Sequence, residues 1–214
     1  MIHDTSTGRR GLLIAFEGID GTGKTTQIAR LAQWLVGQGV VSLLTREPTD
    51  GVYGRKIREL FVDRRRVSRE EELALFMDDR REHVAQVILP ALARGEVVLT
   101  DRYYFSTAAY QGAAGLDSAR IIADNEVFAP VPDLVILLTL TPAESVHRIR
   151  TLRGEALNDF EQEETLGRVD EVFAGLDRDF IHRVNAADSA DQVHAQVRGR
   201  VEATLGDAIK VLCV

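Results

Sequence analysis

One short segment constrains the fold of this 214-residue chain more than any other. Residues 18–25, GIDGTGKT, fit the pattern G-x-x-x-x-G-K-[ST] in full. The apolar residues 11–17 lead directly into it, and residues 24–37 carry apolar side chains at helical spacing. In a strand, glycine-rich turn and helix of this kind, backbone N–H groups turn inward around a phosphate. The segment therefore predicts a nucleoside triphosphate site in an α/β fold, and a plain glycine-rich turn is the alternative.

Two side chains at the end of this segment carry the chemistry that the motif requires. Lys24 is expected to reach the β- and γ-phosphates, and the Thr25 hydroxyl is expected to ligate Mg²⁺. We predict that the donor-phosphate site consists of Gly18, Ile19, Asp20, Gly21, Thr22, Gly23, Lys24, Thr25 and Thr26. A phosphate-binding loop alone does not distinguish GTPases, ATPase motors and small-molecule kinases, so the choice among them depends on the rest of the chain.

Short apolar runs alternate with longer segments of helical period along the whole chain. The runs are apolar throughout, which favours strands covered on both faces, and their alternation with helices favours a parallel sheet. Predicted strands cover residues 11–17, 40–45, 96–100, 134–140 and 181–185. Predicted helices cover residues 24–37, 55–61, 71–92, much of 101–128, the start of the segment at 142, 161–180 and 190–205, with Pro90 expected to kink or shorten the third. No linker or repeat interrupts the pattern, so we expect one α/β domain over residues 1–214.

The charge balance and the cysteine count narrow the partners and the compartment. The chain has 33 acidic and 26 basic residues, a net charge of −7, which argues against a nucleic-acid partner because phosphate neutralisation requires basic residues. No segment approaches the roughly 20 apolar residues of a membrane span, so no membrane partner is expected. Residues 1–11 lack the apolar stretch of a secretory signal, and the single cysteine, Cys213, cannot form an intrachain disulfide. These features together predict a cytoplasmic protein.

Charged residues at the ends of two further strands point to a second phosphate. Asp101 and Arg102 follow the predicted third strand, where Asp101 can hold Mg²⁺ through water or act as a helix N-cap, two compatible roles. Arg102 can clamp a phosphoryl oxygen with two hydrogen bonds. Arg46 follows the second strand and either points toward the loop or pairs with Glu47 at the surface. Arg46, Arg102 and the loop residue Lys24 are too many cations for one triphosphate, which indicates two phosphate-bearing substrates that meet end to end.

Taken together, these segments resemble the thymidylate kinase family of nucleoside monophosphate kinases. The matching residues are 16–27 (FEGIDGTGKTTQ), 45–49 (TREPT), Leu75 and Phe76 followed by Arg80, 101–103 (DRY), 106–111 (STAAYQ) and 132–134 (PDL). The likeness extends in order and with family-like spacing from Gly11 to Leu205. It implies a three-layer P-loop kinase fold with a central parallel five-stranded sheet and a short lid. It also implies ATP as phosphoryl donor, Mg²⁺, dTMP as acceptor and a homodimer.

The resemblance also assigns roles around the acceptor nucleotide. Phe76 would stack on the thymine ring, although helical periodicity alone favours a core residue there. Arg80 would donate to a base carbonyl, Thr107 would contact the base edge, and Tyr110 would pack under the sugar and exclude a 2′-hydroxyl. The complete predicted acceptor site is Asp20, Arg46, Glu47, Phe76, Arg80, Arg102, Tyr103, Thr107, Tyr110 and Gln111, in which Arg46 and Arg102 hold the phosphate.

A lid at about residues 148–160 would supply a further arginine to the moving phosphoryl group. The phosphate loop has no arginine, so the lid is expected to provide it, and Arg153 is the first choice with Arg150 second. The family often has an arginine after an Asp in the lid, whereas residues 157–161 here read LNDFE. Glu161 resembles a family carboxylate near the acceptor sugar. An arginine-rich segment at this point also fits a solvated helix face.

The expected reaction is in-line transfer of the γ-phosphoryl group of Mg-ATP to dTMP, giving dTDP for dTTP synthesis. A phosphate oxygen is anionic at neutral pH, so positioning and charge neutralisation suffice, with Lys24, Arg102 and Arg153 as the catalytic cations. Two alternatives remain open. In the first, the chain is a kinase for a nucleoside, with Glu17 or Asp101 as base, or for another monophosphate. In the second, it is a regulator that binds nucleotide without turnover.

Overall fold

The computed structural model describes residues 10–61, 67–153 and 160–212, with the side chains of residues 152, 153, 211 and 212 left out. Its centre is a five-stranded sheet in the order β2-β3-β1-β4-β5, in which every neighbouring pair is parallel. The strands are β1 Leu12–Glu17, β2 Ser42–Arg46, β3 Val97–Asp101, β4 Leu134–Thr139 and β5 Ile181–Asn185. The predicted α/β fold with a parallel five-stranded sheet is confirmed.

Helices connect the strands and lie on both faces of the sheet. They are α1 Lys24–Gly37, α2 Val52–Leu60, α3 Arg69–His83, α4 Leu89–Ala93, α5 Tyr104–Ala113, α6 Ser118–Glu126, α7 Pro142–Arg153, α8 Glu163–Ala174 and α9 Ala190–Leu212. The segment predicted as helix over 161–180 is helical only to Ala174, where Gly175 follows. Helix α9 is longer than predicted and extends past Leu205 to Leu212.

Pro90 neither ends nor markedly shortens the helical segment that contains it. A π-helical turn, Val84–Ile88, joins α3 to α4 directly before the proline, and the segment continues to Ala93. Proline lacks the N–H that an α-helix needs and its ring crowds the preceding turn. The wider π turn accommodates both effects, and it places the end of α3 beside the carboxyl edge of the sheet.

The sheet separates two apolar layers because the side chains of β1 alternate between its faces. Leu13 and Ala15 belong to a cluster with α4, α5, α6 and α8, whereas Ile14 and Phe16 pack against α1 and α9. All six residues of β1 are buried, as expected for a strand covered on both faces. The prediction that residues 40–45 form a fully buried strand is wrong: β2 is an edge strand of this sheet, and Leu44 is 48% exposed.

The strand register determines where the functional residues meet. Phe16 of β1 and Arg46 of β2 both pair with Asp101 of β3, so all three strands end at one edge. Carboxyl ends of parallel strands form the ligand-binding edge of open α/β sheets. Within the described ranges, no helix is long and apolar enough to cross a membrane.

Candidate active site

The loop between β1 and α1 adopts a conformation that requires glycine. Gly18 has φ +130°, and a Cβ atom there would lie 2.3 Å from the carbonyl oxygen of Leu138. Gly23 also has a positive φ, +88°, which is accessible to glycine at little cost. The Thr22 hydroxyl donates to the carbonyl of Ile19 and closes the loop on itself. The loop is therefore folded into a compact turn at the N-terminus of α1, as the phosphate-binding motif predicts.

Lys24 spans the loop from the first turn of α1. Its Nζ donates to the carbonyl oxygens of Gly18 at 3.0 Å and Ile19 at 2.9 Å, and the side chain is buried. Burial, together with the nearby Arg102, lowers the pKa of Lys24 to about 8. A poorly hydrated ammonium group at this position interacts strongly with any anion that enters the loop.

Thr25 and Asp101 form a pair of oxygen donors beside the loop. Thr25 Oγ1 donates to Asp101 Oδ2 at 2.6 Å, which links the start of α1 to the end of β3. No group of three or more His, Cys, Asp or Glu side chains suited to a metal occurs in the described part of the chain. Magnesium in phosphate-transfer sites uses one or two protein oxygens, with water and phosphate completing its octahedron. The hydroxyl and carboxylate present here fit that donor set.

Arg102 lies beside the loop in an unusual backbone conformation. Its φ is +71°, which non-glycine residues rarely adopt. Its Nη2 donates to Asp20 Oδ1 at 2.7 Å, and the Tyr110 hydroxyl donates to Asp20 Oδ2 at 2.9 Å. Burial by itself raises the pKa of Asp20, but Arg102 and Lys24 outweigh it and lower the pKa to about 2. The guanidinium is thus held charged and next to the loop.

A cavity of about 220 Å³ opens beside Arg102, on the side of the sheet where α3 and α5 lie. It brings together nine of the ten residues predicted for the acceptor site. The lining residues are Asp20, Glu47, Pro48, Phe61, Phe76, Arg80, Arg102, Tyr103, Ser106, Thr107, Tyr110, Gln111, Phe160 and Glu161. Phe76 is half-buried and lines this cavity, so it does not lie in the interior of the core.

Arg80 lies at the back of the cavity in a dense polar network. Its side chain is 1% exposed. Nε and Nη2 donate to Glu47 Oε2 at 2.9 and 2.5 Å, Nη2 also donates to Thr107 Oγ1 at 2.9 Å, and Nη1 donates to Asn125 Oδ1 at 2.8 Å. A guanidinium has five N–H donors, so these four bonds leave one on Nη1.

Glu47, which was predicted to bind substrate, has both carboxylate oxygens engaged by protein. Arg80 occupies Oε2, and His83 Nδ1 lies 2.9 Å from Oε1. Burial by itself raises the pKa of Glu47, but Arg80 and His83 outweigh it and lower the pKa below its usual value. The chief role of Glu47 in this geometry is to hold Arg80 in place. The 2.6 Å contact between His83 Nε2 and Thr45 Oγ1 ties the same network to β2.

Arg46 is the predicted acceptor residue that the structure does not bring to this cavity. Its side chain is 62% exposed and donates to both carboxylate oxygens of Asp50, at 2.9 and 3.1 Å. It lines a neighbouring cleft together with Thr25 and Asp101. The alternative interpretation of a surface arginine is closer to this geometry, although its partner is Asp50 and not Glu47.

The arginines predicted for a lid are only partly within the described structure. Arg153 ends α7, but its side chain and the predicted lid residues 154–159 lie outside the described part. Arg150 is exposed on α7, whereas Arg148 lines a cavity of about 420 Å³ next to the phosphate loop. That cavity is formed by Gly21, Thr22, Gly23, Thr26, Gln27, His147, Arg148, Thr151, Ala186, Asp188, Ala190 and Val193.

Comparison with known proteins assigns this arrangement to one family. The thymidylate kinase family profile matches residues 16–197. A thymidylate kinase from Desulfotalea psychrophila is 48% identical over 195 residues, covering 91% of this chain and 96% of that protein. A thymidylate kinase from Xanthomonas campestris strain B100 is 46% identical over 201 residues, covering 94% of this chain and 87% of its own. The chain belongs to the thymidylate kinase family. The resemblance inferred from the sequence motifs is confirmed.

Several residues that shape this site were not predicted from the sequence. Asn125 supports Arg80, and His83 supports Glu47, across 45 and 36 residues of sequence. The loop that follows β5, with Ala186 and Asp188, lines the cavity beside the phosphate loop. Its place at the carboxyl end of a parallel strand is the one sequence signal that could have identified it. Asn125 and His83 carry no such signal because their contacts depend on how distant helices pack.

Proposed function

We propose that this chain transfers the γ-phosphoryl group of Mg-ATP to dTMP and forms dTDP. The observation that carries the proposal is the position of Arg102. It lies between the phosphate-binding loop, through its bond to the Gly18 carbonyl at 3.3 Å, and the cavity that holds Phe76 and Arg80. A donor triphosphate in the loop and an acceptor monophosphate in the cavity would meet at this guanidinium. Membership of the thymidylate kinase family supports the same reaction.

The acceptor is proposed to be a phosphate and not a sugar hydroxyl. A hydroxyl acceptor needs a nearby carboxylate as general base. Glu17 accepts hydrogen bonds from Tyr103 and Ser106 and is absent from the residues that line the cavity, while Asp101 is engaged by Thr25. A phosphate oxygen is already anionic at neutral pH and needs only positioning between cations. The geometry thus favours a monophosphate kinase over a nucleoside kinase.

Base selectivity is proposed to come from paired polar groups at the back of the cavity. The remaining N–H of Arg80 suits a ring carbonyl, and Thr107 retains its own O–H because it accepts from Arg80. Gln111 is 1% exposed; its Nε2 donates to Glu72, and its Oε1 has no hydrogen-bond partner within the described residues. A buried acceptor without a partner is costly unless a ligand donates to it. Thymine supplies both a carbonyl and a ring N–H, whereas cytosine lacks that N–H.

Phe76 and Tyr110 are proposed to contact the flat faces of the nucleoside. Phe76 would stack on the base, and the ring of Tyr110, fixed through its bond to Asp20, would lie under the sugar. Glu161 is buried and lines the same cavity, and we propose that it lies on the sugar side, as the family resemblance implies. Close packing under the sugar leaves no space for a 2′-hydroxyl and would select the deoxyribose form.

On the donor side, the loop N–H groups and Lys24 are proposed to hold the triphosphate, with Thr25 and Asp101 at the magnesium ion. Magnesium, when bound, neutralises charge on the β- and γ-phosphates. Lys24 leaves the loop carbonyls for the phosphates, and Arg102 stabilises the transferred group. Arg153 remains the proposed lid cation. Arg46 remains a proposed phosphate ligand, and it would have to leave Asp50 to act as one.

The protein is further proposed to be a cytoplasmic homodimer with a single domain over residues 1–214. The family resemblance supports the dimer, and the acidic charge and lack of disulfide-forming cysteine pairs support the compartment. Sedimentation equilibrium of the purified chain tests the dimer, since a mass near 23.7 kDa at micromolar concentration would contradict it.

The reaction itself is tested by a coupled ADP-release assay. Mg-ATP is combined in turn with dTMP, dUMP, UMP, CMP, AMP, GMP and thymidine. Strong preference for dTMP is expected. Activity on thymidine but not on dTMP would instead assign a nucleoside kinase. Binding of ATP without turnover of any acceptor would contradict the kinase function altogether.

A further inference from the structure

Glu17, the last residue of β1, is fully buried and contacts the first turn of α5 from a distant part of the chain. Its Oε1 accepts the backbone N–H groups of Tyr103 at 2.9 Å and Ser106 at 3.1 Å, 86 and 89 residues away. Tyr103, the residue before α5, makes no side-chain cap of its own. Glu17 therefore accepts from the N–H of the N-cap residue Tyr103 and shares the N–H of Ser106 with the Tyr103 carbonyl, so it contributes to the N-terminal cap of α5.

The second carboxylate oxygen of Glu17 controls the orientation of a hydroxyl. Ser106 Oγ donates to Glu17 Oε2 at 2.5 Å and accepts from Arg102 Nη1 at 2.9 Å. An ionised carboxylate only accepts, and a guanidinium only donates. When Glu17 is ionised, the hydroxyl proton of Ser106 is directed to Glu17, and the three side chains form a chain of hydrogen bonds with a single direction. A lone pair of Ser106 faces Arg102 in either protonation state of Glu17, because the guanidinium only donates.

Arg102 needs such support because its backbone is in a strained region. A left-handed φ costs a non-glycine residue about 1–2 kcal/mol, so the surroundings must hold it. Thr100 Oγ1 donates to the Arg102 carbonyl at 2.8 Å and fixes the main chain. Asp20 holds the Nη2 arm of the guanidinium, and Ser106 holds the Nη1 arm.

We propose that Glu17 and Ser106 are a positioning pair that orients the Arg102 guanidinium toward the acceptor phosphate. The inference rests on the proposed dTMP kinase function. Glu17 is not among the residues that line the acceptor cavity, so it acts through Ser106 and not on the substrate. The competing interpretation is that Glu17 serves only as a cap for α5. The two interpretations differ at Ser106, because the backbone bonds that form the cap do not use its hydroxyl.

The decisive variant is Ser106→Ala, which removes the link to Arg102 and leaves both backbone N–H bonds to Glu17 Oε1. Calorimetry then measures the affinities for dTMP and for thymidine, which lacks the phosphate that Arg102 contacts. A hydrogen bond to a charged group corresponds to roughly a tenfold to 100-fold change in a binding constant, so dTMP affinity is expected to fall about tenfold or more. Thymidine affinity is expected to stay within about twofold, since its binding does not involve Arg102.

Two further variants sharpen the result. Ser106→Thr restores a hydroxyl and is expected to recover much of the dTMP affinity. Glu17→Gln keeps an acceptor for the cap but places an amide donor opposite Ser106, so it is expected to resemble Ser106→Ala. The matched control is Ser118→Ala. Ser118, at the start of α6, donates through Oγ to the carbonyl of Ala108 in α5, the helix that contains Ser106, at 2.9 Å, and it takes no part in the Arg102 network.

The positioning role would be overturned if Ser106→Ala and the control Ser118→Ala had the same ratio of dTMP affinity to thymidine affinity. Equal losses for dTMP and thymidine, accompanied by a lower Tm, would also overturn it and leave the cap interpretation. Failure of the proposed dTMP kinase function is detected separately, by the acceptor assay on the wild-type protein. If the wild type does not use dTMP as acceptor, the positioning role is overturned before any variant is compared.

Discussion

The acceptor cavity and the donor side of this molecule bind phosphate-bearing ligands by different means. In the acceptor cavity, buried charged side chains are held by other side chains: Arg80 donates to Glu47 and Thr107, and Arg102 donates to Asp20 and Ser106. On the donor side, the site consists mainly of main-chain groups of the glycine-rich loop, whose carbonyls accept from the buried Lys24. Groups fixed before binding distinguish one nucleotide from another, whereas main-chain N–H groups recognise what all triphosphates share.

The largest effect is expected on the donor side, from Lys24→Ala. Removing one preorganised donor to a transferring group typically reduces kcat by about 10²–10³-fold, and the loss here is expected at the upper end. The lowered pKa of Lys24 shows that its charge is poorly hydrated, so the Tm is expected to stay the same or rise. Steady-state kinetics and thermal denaturation measure the two effects. Parallel losses of activity and Tm would show that Lys24 is needed for folding instead.

A second effect concerns the charge buried between the two regions, at Glu17. Burial raises the pKa of Glu17 from 4.5 to about 7. Between these pH values the folded protein keeps a proton on Glu17 that the unfolded chain has lost, so the free energy of unfolding falls as pH rises through this window. Between pH 5 and pH 8 the free energy of unfolding is expected to drop by roughly 2–3 kcal/mol from this group alone. Urea denaturation of the wild type and of Glu17→Gln at several pH values measures this contribution, as the difference between their free energies of unfolding. If the difference in the free energy of unfolding between the two proteins did not change with pH, the raised pKa of Glu17 would be refuted.

Phe76→Ala tests the acceptor cavity directly. Loss of base stacking corresponds to about 1–3 kcal/mol, so the KM for dTMP is expected to rise by roughly fivefold to 150-fold. The KM for ATP is expected to change by less than about twofold, because Phe76 lines the acceptor cavity and neither of the two described cavities that border the phosphate loop or Thr25. Phe180→Ala, a half-buried phenylalanine outside that cavity, is the control for general destabilisation. Comparable increases in both KM values would contradict the stacking role.

The smallest effect is expected from Tyr110→Ala on sugar selectivity. Replacing the ring opens space for a 2′-hydroxyl, and discrimination between dTMP and ribothymidine monophosphate is expected to fall about tenfold. The ratio of the two kcat/KM values measures it. Tyr110→Phe, which keeps the ring and removes the bond to Asp20, should retain most of the selectivity. If Tyr110→Phe loses as much as Tyr110→Ala, the hydroxyl rather than the ring is responsible.

Much of the site was predictable because its motifs are local. The phosphate loop, the helix that carries Phe76 and Arg80, and the segment from Asp101 to Gln111 are each contiguous, and backbone conformation over such lengths depends mainly on neighbouring residues. The alternation of apolar strands and helices likewise predicted a parallel sheet. The position of β2 at the sheet edge was not predictable from its own residues, since strand order depends on which strands pair.

By itself, the sequence determined the fold class, the family and most of the residues that line the acceptor cavity. Only the tertiary structure decided how those residues share their hydrogen bonds: that Asn125 completes the network of Arg80, and that Glu17 reaches α5. The physical reason is the separation along the sequence. A glycine turn or a helix start is specified within a few residues, whereas these two contacts join groups 45 and 86 residues apart through strand register and helix packing.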